Sequence, residues 1–206
     1  EMGLDNAEGP GQAQEGVTGE CRLENVTGAA RWQELVAQWQ GTTVSVLALP
    51  ELVALSVCWG EDRAQAALFR EAETEDYSGF LAAFFRPEIT KLGYHIKDVM
   101  RWALARGLTA QGFVFDAAIA AYLLAPTDGS YALDKVAGQY FTETFPPDKD
   151  YLGSKAWKDT ESAAKAMGAM ASHTVLIAAL YDVLPDKLAE LGLDRVYEEL
   201  ELPLCP

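Results

Sequence analysis

Carboxylates are the side chains with which this sequence could hold a hard divalent cation and hydrolyse a phosphodiester. Such a cation needs several oxygen ligands meeting at one point. Between Gly41 and Gly60 the only carboxylate is Glu51. Asp98 stands beside the apolar helical stripe of Val99, Trp102, Ala103 and Leu104, where a surface charge is the simpler reading. From Ser162 through Tyr181 there is no Asp or Glu at all, and Asp159 and Glu161 lie just ahead of that run. The two histidines, His95 and His173, have no carboxylate cluster beside them, and imidazole alone suits softer metals than Mg²⁺. Packing or surface placement is the simpler reading of His173. Cys21, Cys58 and Cys205 are an odd set without metal-ligand spacing. They read as free thiols of a cytoplasmic protein. No Gly-rich phosphate loop and no Ser-His-Asp or Cys-His arrangement is evident.

The composition limits the partners. The chain has 206 residues, 50% of them hydrophobic, and a formal net charge of −15. This supports a real core and one domain with tails. A field of that sign does not attract a phosphate backbone over distance, so strong DNA binding by this chain alone is disfavoured. Lys149, Lys155, Lys158 and Lys165, with Tyr151 and Trp157 among them, could touch a nucleic-acid backbone; a solvated loop is the simpler reading. No apolar run reaches the ~18–20 residues of a membrane span, and no secretory signal is visible. A monomer without membrane contact is expected.

Several elements must position these residues. Residues 1–28 are Gly- and Glu-rich without apolar periodicity and read as an acidic, poorly ordered linker. Ala29–Gln40 is helical, with Trp32, Leu35, Val36 and Trp39 on one face. Thr42–Leu49 and Leu52–Trp59 are strands joined at Pro50-Glu51, and Ala64–Phe69 is a third. Ser78–Arg86 is a helix with Phe80, Leu81, Phe84 and Phe85 inward, and Ile89–Leu92 a fourth strand. A helix over His95–Arg106, a strand over Gly112–Phe115 and a helix over Ala117–Leu124 follow, with Asp116 at the N-cap. A third helix starts near Tyr131. Thr142–Asp159 is a long connection. Ala163–Val183 is a long helix, apolar almost all round and capped by Thr160 or Ser162; Pro185 ends it. Separate helices over Asp186–Leu191 and Asp194–Leu202 are expected. The alternation predicts an α/β fold, a sheet covered by helices. The aromatics Trp32, Trp39, Phe80, Phe84, Phe85 and Trp102 could stack bases, but their spacing makes them core residues first.

Gly112-Phe113-Val114-Phe115-Asp116 with Ala121-Tyr122-Leu123-Leu124 resembles a segment of the proofreading domain of bacterial DNA polymerase I. So does Tyr131-Ala132-Leu133-Asp134-Lys135-Val136-Ala137, ending at Tyr140-Phe141. Arg195 to Leu204 looks like the helix that leads from that domain into the polymerase domain of family A polymerases. The order and spacing of the three pieces match over residues 30–206. The resemblance implies an RNase H-like 3′–5′ exonuclease fold, with a mixed sheet of about five strands flanked by helices. It implies residues 29–193 as the exonuclease-like domain and 194–206 as the start of the helix into a polymerase domain. That domain of the same chain is the implied partner, with DNA bound in the intact enzyme only. Mg²⁺ is implied for the polymerase domain and not for this chain.

The family hydrolyses phosphodiesters with two metal ions held by carboxylates from three motifs. The first, Asp-x-Glu, falls near Ala48 and Pro50. The second, Asn-x-x-x-Asp, falls on His95 and Val99. Asp98 is one residue early, a rotation of ~100° on a helix. The third, Tyr-x-x-x-Asp, falls on Met167 and Ala171. The resemblance therefore implies a degenerate domain that keeps the fold without the metal ligands, with a structural role and no catalytic residue. Two alternatives stand beside it. One is an active exonuclease with ligands relocated to Glu51, Asp98 and Asp159 or Glu161. The other is an unrelated interaction module.

Overall fold

Among the described residues, six short strands form one sheet. In the computed structural model, which describes residues 21–198, the strands are β1 (Arg22–Val26), β2 (Thr43–Ala48), β3 (Ala54–Trp59), β4 (Gln65–Arg70), β5 (Thr90–Gly93) and β6 (Phe113–Asp116). Their spatial order is β1-β4-β3-β2-β5-β6. β2, β3 and β4 form an antiparallel meander, while β1 lies parallel to β4 and β5 and β6 run parallel to β2. Every residue of β3 is buried, as a central strand covered on both faces should be.

The helices are α1 (Ala29–Trp39), α2 (Tyr77–Phe84), α3 (Ile96–Ala105), α4 (Ala117–Leu124), α5 (Leu133–Tyr140), α6 (Lys149–Leu152), α7 (Thr160–Glu190) and α8 (Asp194–Val196). On one face of the sheet, α1, α2 and α3 enclose an aromatic core. Trp39 meets Trp59, Phe69 and Phe84 edge-on, and Phe69 stacks on Phe80 at 4.0 Å between centroids. These rings are buried, as their spacing predicted; Trp102 is half-buried against the same cluster. On the other face, α7 lies across β2, β3, β4 and β5 and is itself covered by α4, α5 and α6. That accounts for its apolar character on all sides.

The structure corrects several sequence expectations. The sheet has six strands, because part of the expected linker, Arg22–Val26, forms β1. Its Arg, Glu and Asn residues hid it, yet an edge strand needs only Leu23 and Val26 to pack. The Val26 carbonyl accepts from the Thr74 hydroxyl, which ties the strand down. Residues 1–20 lie outside the described residues. Pro185 does not end α7, and Asp186–Leu191 is not a separate helix: α7 continues to Glu190. Leu184 and Leu188 on either side of the proline are fully buried, and that packing outweighs one lost hydrogen bond. The cap of α7 is Asp159, with Ser162 reciprocating as the other half of a capping box. α6 interrupts the connection expected over Thr142–Asp159. Of the helix expected over Asp194–Leu202, Asp194–Val196 is helical, and residues 199–206 lie outside the described residues. By length and composition α7 would suffice to cross a bilayer, contrary to the absence of such a run in the sequence reading, but most of its apolar window is buried in the core.

Candidate functional site

The end of β2 is where α3 and α7 approach from opposite faces of the sheet. α7 packs on β2, and α3 packs on the turn Pro50–Leu52 that follows it. The alternation along β2 sorts its side chains between the two faces. Leu47 and Leu49 face α7, in one cluster with Met170 and with half-buried Met167 packed against it. Ala48 faces the other way, against the cluster that holds Val99 and Leu52. Pro50 is exposed in the turn. The strand positions that face the long helix are therefore Leu47 and Leu49, which the sequence reading did not single out. Period-two alternation pairs Leu47 with Leu49, but the equally apolar Val44, Val46 and Ala48 leave open which set faces α7.

The remaining positions separate further. Ala171 packs with Cys58, Ala66 and Val175 over β3 and β4. Val99 is buried on the inner face of α3. Thus Ala48 and Val99 share one apolar cluster, Leu47, Leu49, Met167 and Met170 share a second, and Ala171 belongs to a third. Beyond Leu49 an open apolar recess of about 460 Å³ runs to Val53, Ala54, Arg70 and Trp157. The Arg70 guanidinium lies 5.2 Å from the Trp157 ring centre and pairs with Glu73.

The carboxylates and histidines that could have relocated the chemistry do not gather into a group that could hold a metal ion among the described residues. Glu51 is exposed in the turn, at φ 59°. Asp98 bonds to Arg101 at 2.8 Å. Asp159 caps α7, and its bonds from Ser162 hold its pKa below the usual carboxylate range. His95 is exposed at the head of α3 in a left-handed conformation, its ring 4.1 Å from that of Tyr94. It shares an open cleft of about 270 Å³ with Lys97, Asp98, Tyr122 and Tyr131. His173 is fully buried. Its Nε2–H donates to the Pro146 carbonyl at 2.5 Å, so Nδ1 accepts the Tyr151 hydroxyl at 2.8 Å. Burial pushes its pKa down and keeps it neutral. Among the described residues no three or more His, Cys, Asp or Glu side chains come together as a group that could hold a metal ion. The residues present do not fit a two-metal site.

Asp116 has a different task. Its carboxylate accepts from the main-chain N–H groups of His95 and Ile96 at the head of α3 and of Ala118 and Ile119 at the head of α4. One carboxylate thus caps two helices and answers two positive dipole ends. The N-cap role read from the sequence holds for α4, and the second helix was not legible. The Asp116 N–H in turn donates to the Tyr197 hydroxyl at 2.6 Å, which seats the last described turn of the chain on β6.

The lysines of the connection are exposed, and Lys165 pairs with Asp150 at 3.0 Å. Tyr151 is buried, and the Trp157 indole N–H donates to the Tyr151 carbonyl. The two rings serve packing inside the structure.

Strand order and helix placement can now be set beside solved structures. No family model and no curated protein matches the chain. Solved structures do. The POL domain of Pol1 from M. smegmatis, in complex with DNA primer-template and dNTP, superposes with a TM-score of 0.68 at 20% identity, over 89% of this chain and 30% of that one. The catalytic core of RRP6 from Trypanosoma brucei gives 0.67 at 18% identity, over 90% and 52%. Brucella melitensis NrnC gives 0.63 at 16% identity, over 85% and 86%. The chain has the RNase H-like 3′–5′ exonuclease fold. It spans less than a third of the Pol1 chain and about half of the RRP6 core. β2 is the strand from which the sequence reading expected the first carboxylate pair, and here it ends in Leu47 and Ala48, followed by Leu49.

Proposed function

We propose that this chain is an exonuclease-fold domain of a bacterial DNA polymerase I that keeps the scaffold and has lost the metal site, and that it supports and spaces a polymerase domain of the same chain. The observation that carries the reading is the apolar end of β2. By the resemblance the first carboxylate pair falls on this strand end, and the side chains there are apolar: Leu47 and Leu49 in one cluster, Ala48 with Val99 in another. The quoted motifs, and the similarity to a Pol1 structure that contains DNA, support the polymerase assignment. NrnC structures carry Mg²⁺ or pGG; among the described residues here no group of three or more His, Cys, Asp or Glu side chains could hold a metal ion. Metal electrostatics supply most of such catalysis, so activity is lost with the ligands. The Tyr197–Asp116 bond supports the spacing role, because it fixes the chain direction at the C-terminal end of the domain.

The test is a 3′–5′ exonuclease assay on 5′-labelled single-stranded DNA with Mg²⁺ or Mn²⁺. The expected result is no degradation above the metal-free control. Degradation that disappears in Asp98→Asn or Glu51→Gln would overturn the reading in favour of an active nuclease with relocated ligands.

A further inference from the structure

β1 is an edge of the sheet, since it pairs with β4 alone. Its parallel ladder fixes which of its main-chain groups are used. The Arg22 N–H donates to the Ala64 carbonyl at 2.8 Å. At the far end the Val26 carbonyl accepts from the Thr74 hydroxyl, which itself accepts from the Arg70 N–H of β4. Main-chain groups alternate in direction along a strand. Arg22, Glu24 and Val26 therefore face β4. The N–H and C=O groups of Leu23 and Asn25 face outward, where they have no partner among the described residues. Such an edge is a template for another strand, and natural edges block it with a bulge, a proline or repelling charges. β1 contains no proline, and its register against β4 is unbroken. Its two charges, Arg22 and Glu24, are of opposite sign and lie on one face of the strand.

We propose that the outer edge of β1 pairs antiparallel with β1 of a second copy of this chain, in the register that sets Leu23 against Leu23 and Arg22 against Glu24. A two-fold axis normal to the sheet runs the two strands antiparallel and matches their faces. Only outward-facing main-chain groups can form the bonded pairs, which leaves few registers. Setting Arg22 opposite its own copy brings two guanidinium groups together, and setting Glu24 opposite its own copy brings two carboxylates together. Like charges directly opposite destabilise a strand pair. With Leu23 on the axis, Arg22 lies opposite Glu24 at both ends, and directly opposite residues point to the same face. The main-chain groups of Leu23 then bond those of its copy, and those of Asn25 bond Cys21 of the second copy. Glu24 is already held for this contact: Nε and Nη2 of Arg31 donate to its two oxygens at 2.8 Å. Each oxygen keeps a second lone pair for Arg22 of the second copy, and Arg22 is exposed. A carboxylate fixed beforehand loses less side-chain freedom on association. Leu23 is only half-buried against the clusters beneath α7, and its copy covers the remainder. An edge contact of this kind belongs with the transient interfaces that bury less than ~1,200 Å². The monomer expected from the sequence therefore gives way to a dimer as concentration rises.

The experiment is sedimentation equilibrium of the chain from micromolar to millimolar concentration, with a thiol reductant present. The buffer holds about 0.15 M salt, which screens the repulsion between two acidic chains beyond ~8 Å. The weight-average mass should rise from 22.4 kDa toward twice that value. Arg22→Glu and Glu24→Arg each set like charges across the strands, and each variant alone should stay at the monomer mass. Mixed in equal amounts they should associate again, because each supplies the charge that the other lacks. Asn25→Pro removes an outward N–H and leaves the ladder to β4 in place; it should stay monomeric with an unchanged circular dichroism spectrum. Should Glu24→Arg fail to fold without its Arg31 contact, Arg22→Glu and Asn25→Pro decide the matter. Monomer mass over the whole range would overturn the proposal. So would a dimer that Asn25→Pro leaves intact, or a mixture of the two folded charge variants that stays monomeric.

Discussion

Four main-chain N–H groups from two helices converge on the Asp116 carboxylate. Asp116→Ala strands these buried donors at once, and the expected loss is about 2–4 kcal/mol, two caps' worth. Asp116→Asn keeps one acceptor oxygen and should lose less; urea unfolding of both variants checks the order. Lys91 is the other residue on which several elements depend. It is wholly buried, and its ammonium donates to the carbonyls of Arg86, Ile89 and Gln111 at 2.7–2.9 Å, with the Phe84 ring centre 5.1 Å away. A Cβ on the adjoining Gly112, at φ +84°, would sit 2.4 Å from the Ile89 carbonyl oxygen, so glycine alone allows this approach. Burial pushes the Lys91 pKa down to about 7 from an ordinary 10.5. The unfolded chain then binds more protons than the folded one between these values. The burial cost is fully present below pH 7 and is relieved as the pH rises toward 10.5, so stability should rise across that window. Lys91→Met should remove this slope, and denaturation at stepped pH measures it. His173 has the same sign in another window. Its pKa lowered by burial, it should withdraw stability as the pH falls below its ordinary 6.5, and its ring protons should titrate below that value in NMR.

Both hairpins of the meander use the same unusual device. Glu51-Leu52 and Asp62-Arg63 each place two consecutive non-glycine residues at φ between 55° and 59°. Such a pair twists the turn as a tight hairpin needs, at a cost of roughly 1–2 kcal/mol per residue. Fully buried Leu52 offsets that cost in the first turn. Glu51 is exposed, and Arg106 Nε bonds its carbonyl, not its side chain. Glu51→Gly should therefore stabilise by about 0.5–1 kcal/mol, read as a raised urea midpoint. Neither turn carries the Asn-Gly or Asp-Gly marker, so the strands were legible in the sequence and the turn geometry was not. The same contrast holds for helices. Ala117–Leu124 was readable to the residue, because Asp116 and Pro126 punctuate it locally. The passage of α7 through Pro185 was not, because buried Leu184 and Leu188 decide it through tertiary contacts. β1 was missed for a related reason: five residues with three polar side chains show no pattern until β4 is placed beside them.

Across the whole molecule, Ala48, Val99, Met167 and Ala171 are divided among three apolar clusters on the two faces of the sheet. Whether the first strand is read at Ala48 and Pro50 or at Leu47 and Leu49, the positions carry no acid, so the functional inference survives a one-residue change of register. The register itself needed the structure, because the apolar run Val44–Leu49 does not reveal which side chains face α7. Reversing the loss should be costly. Ala171→Asp would bury an unpaired carboxylate against Cys58 and Val175, and a loss of about 3 kcal/mol or more is expected in urea unfolding. The apolar packing at Ala171 thus stabilises the scaffold. Manganese binding tests this account most directly, because Mn²⁺ is silent to the activity of any other domain when only its occupancy is read. Electron paramagnetic resonance of micromolar Mn²⁺ mixed with an excess of the chain should show the full free-ion signal, unchanged in Asp98→Asn. A bound fraction that Asp98→Asn or Glu51→Gln releases would contradict the loss of the metal site.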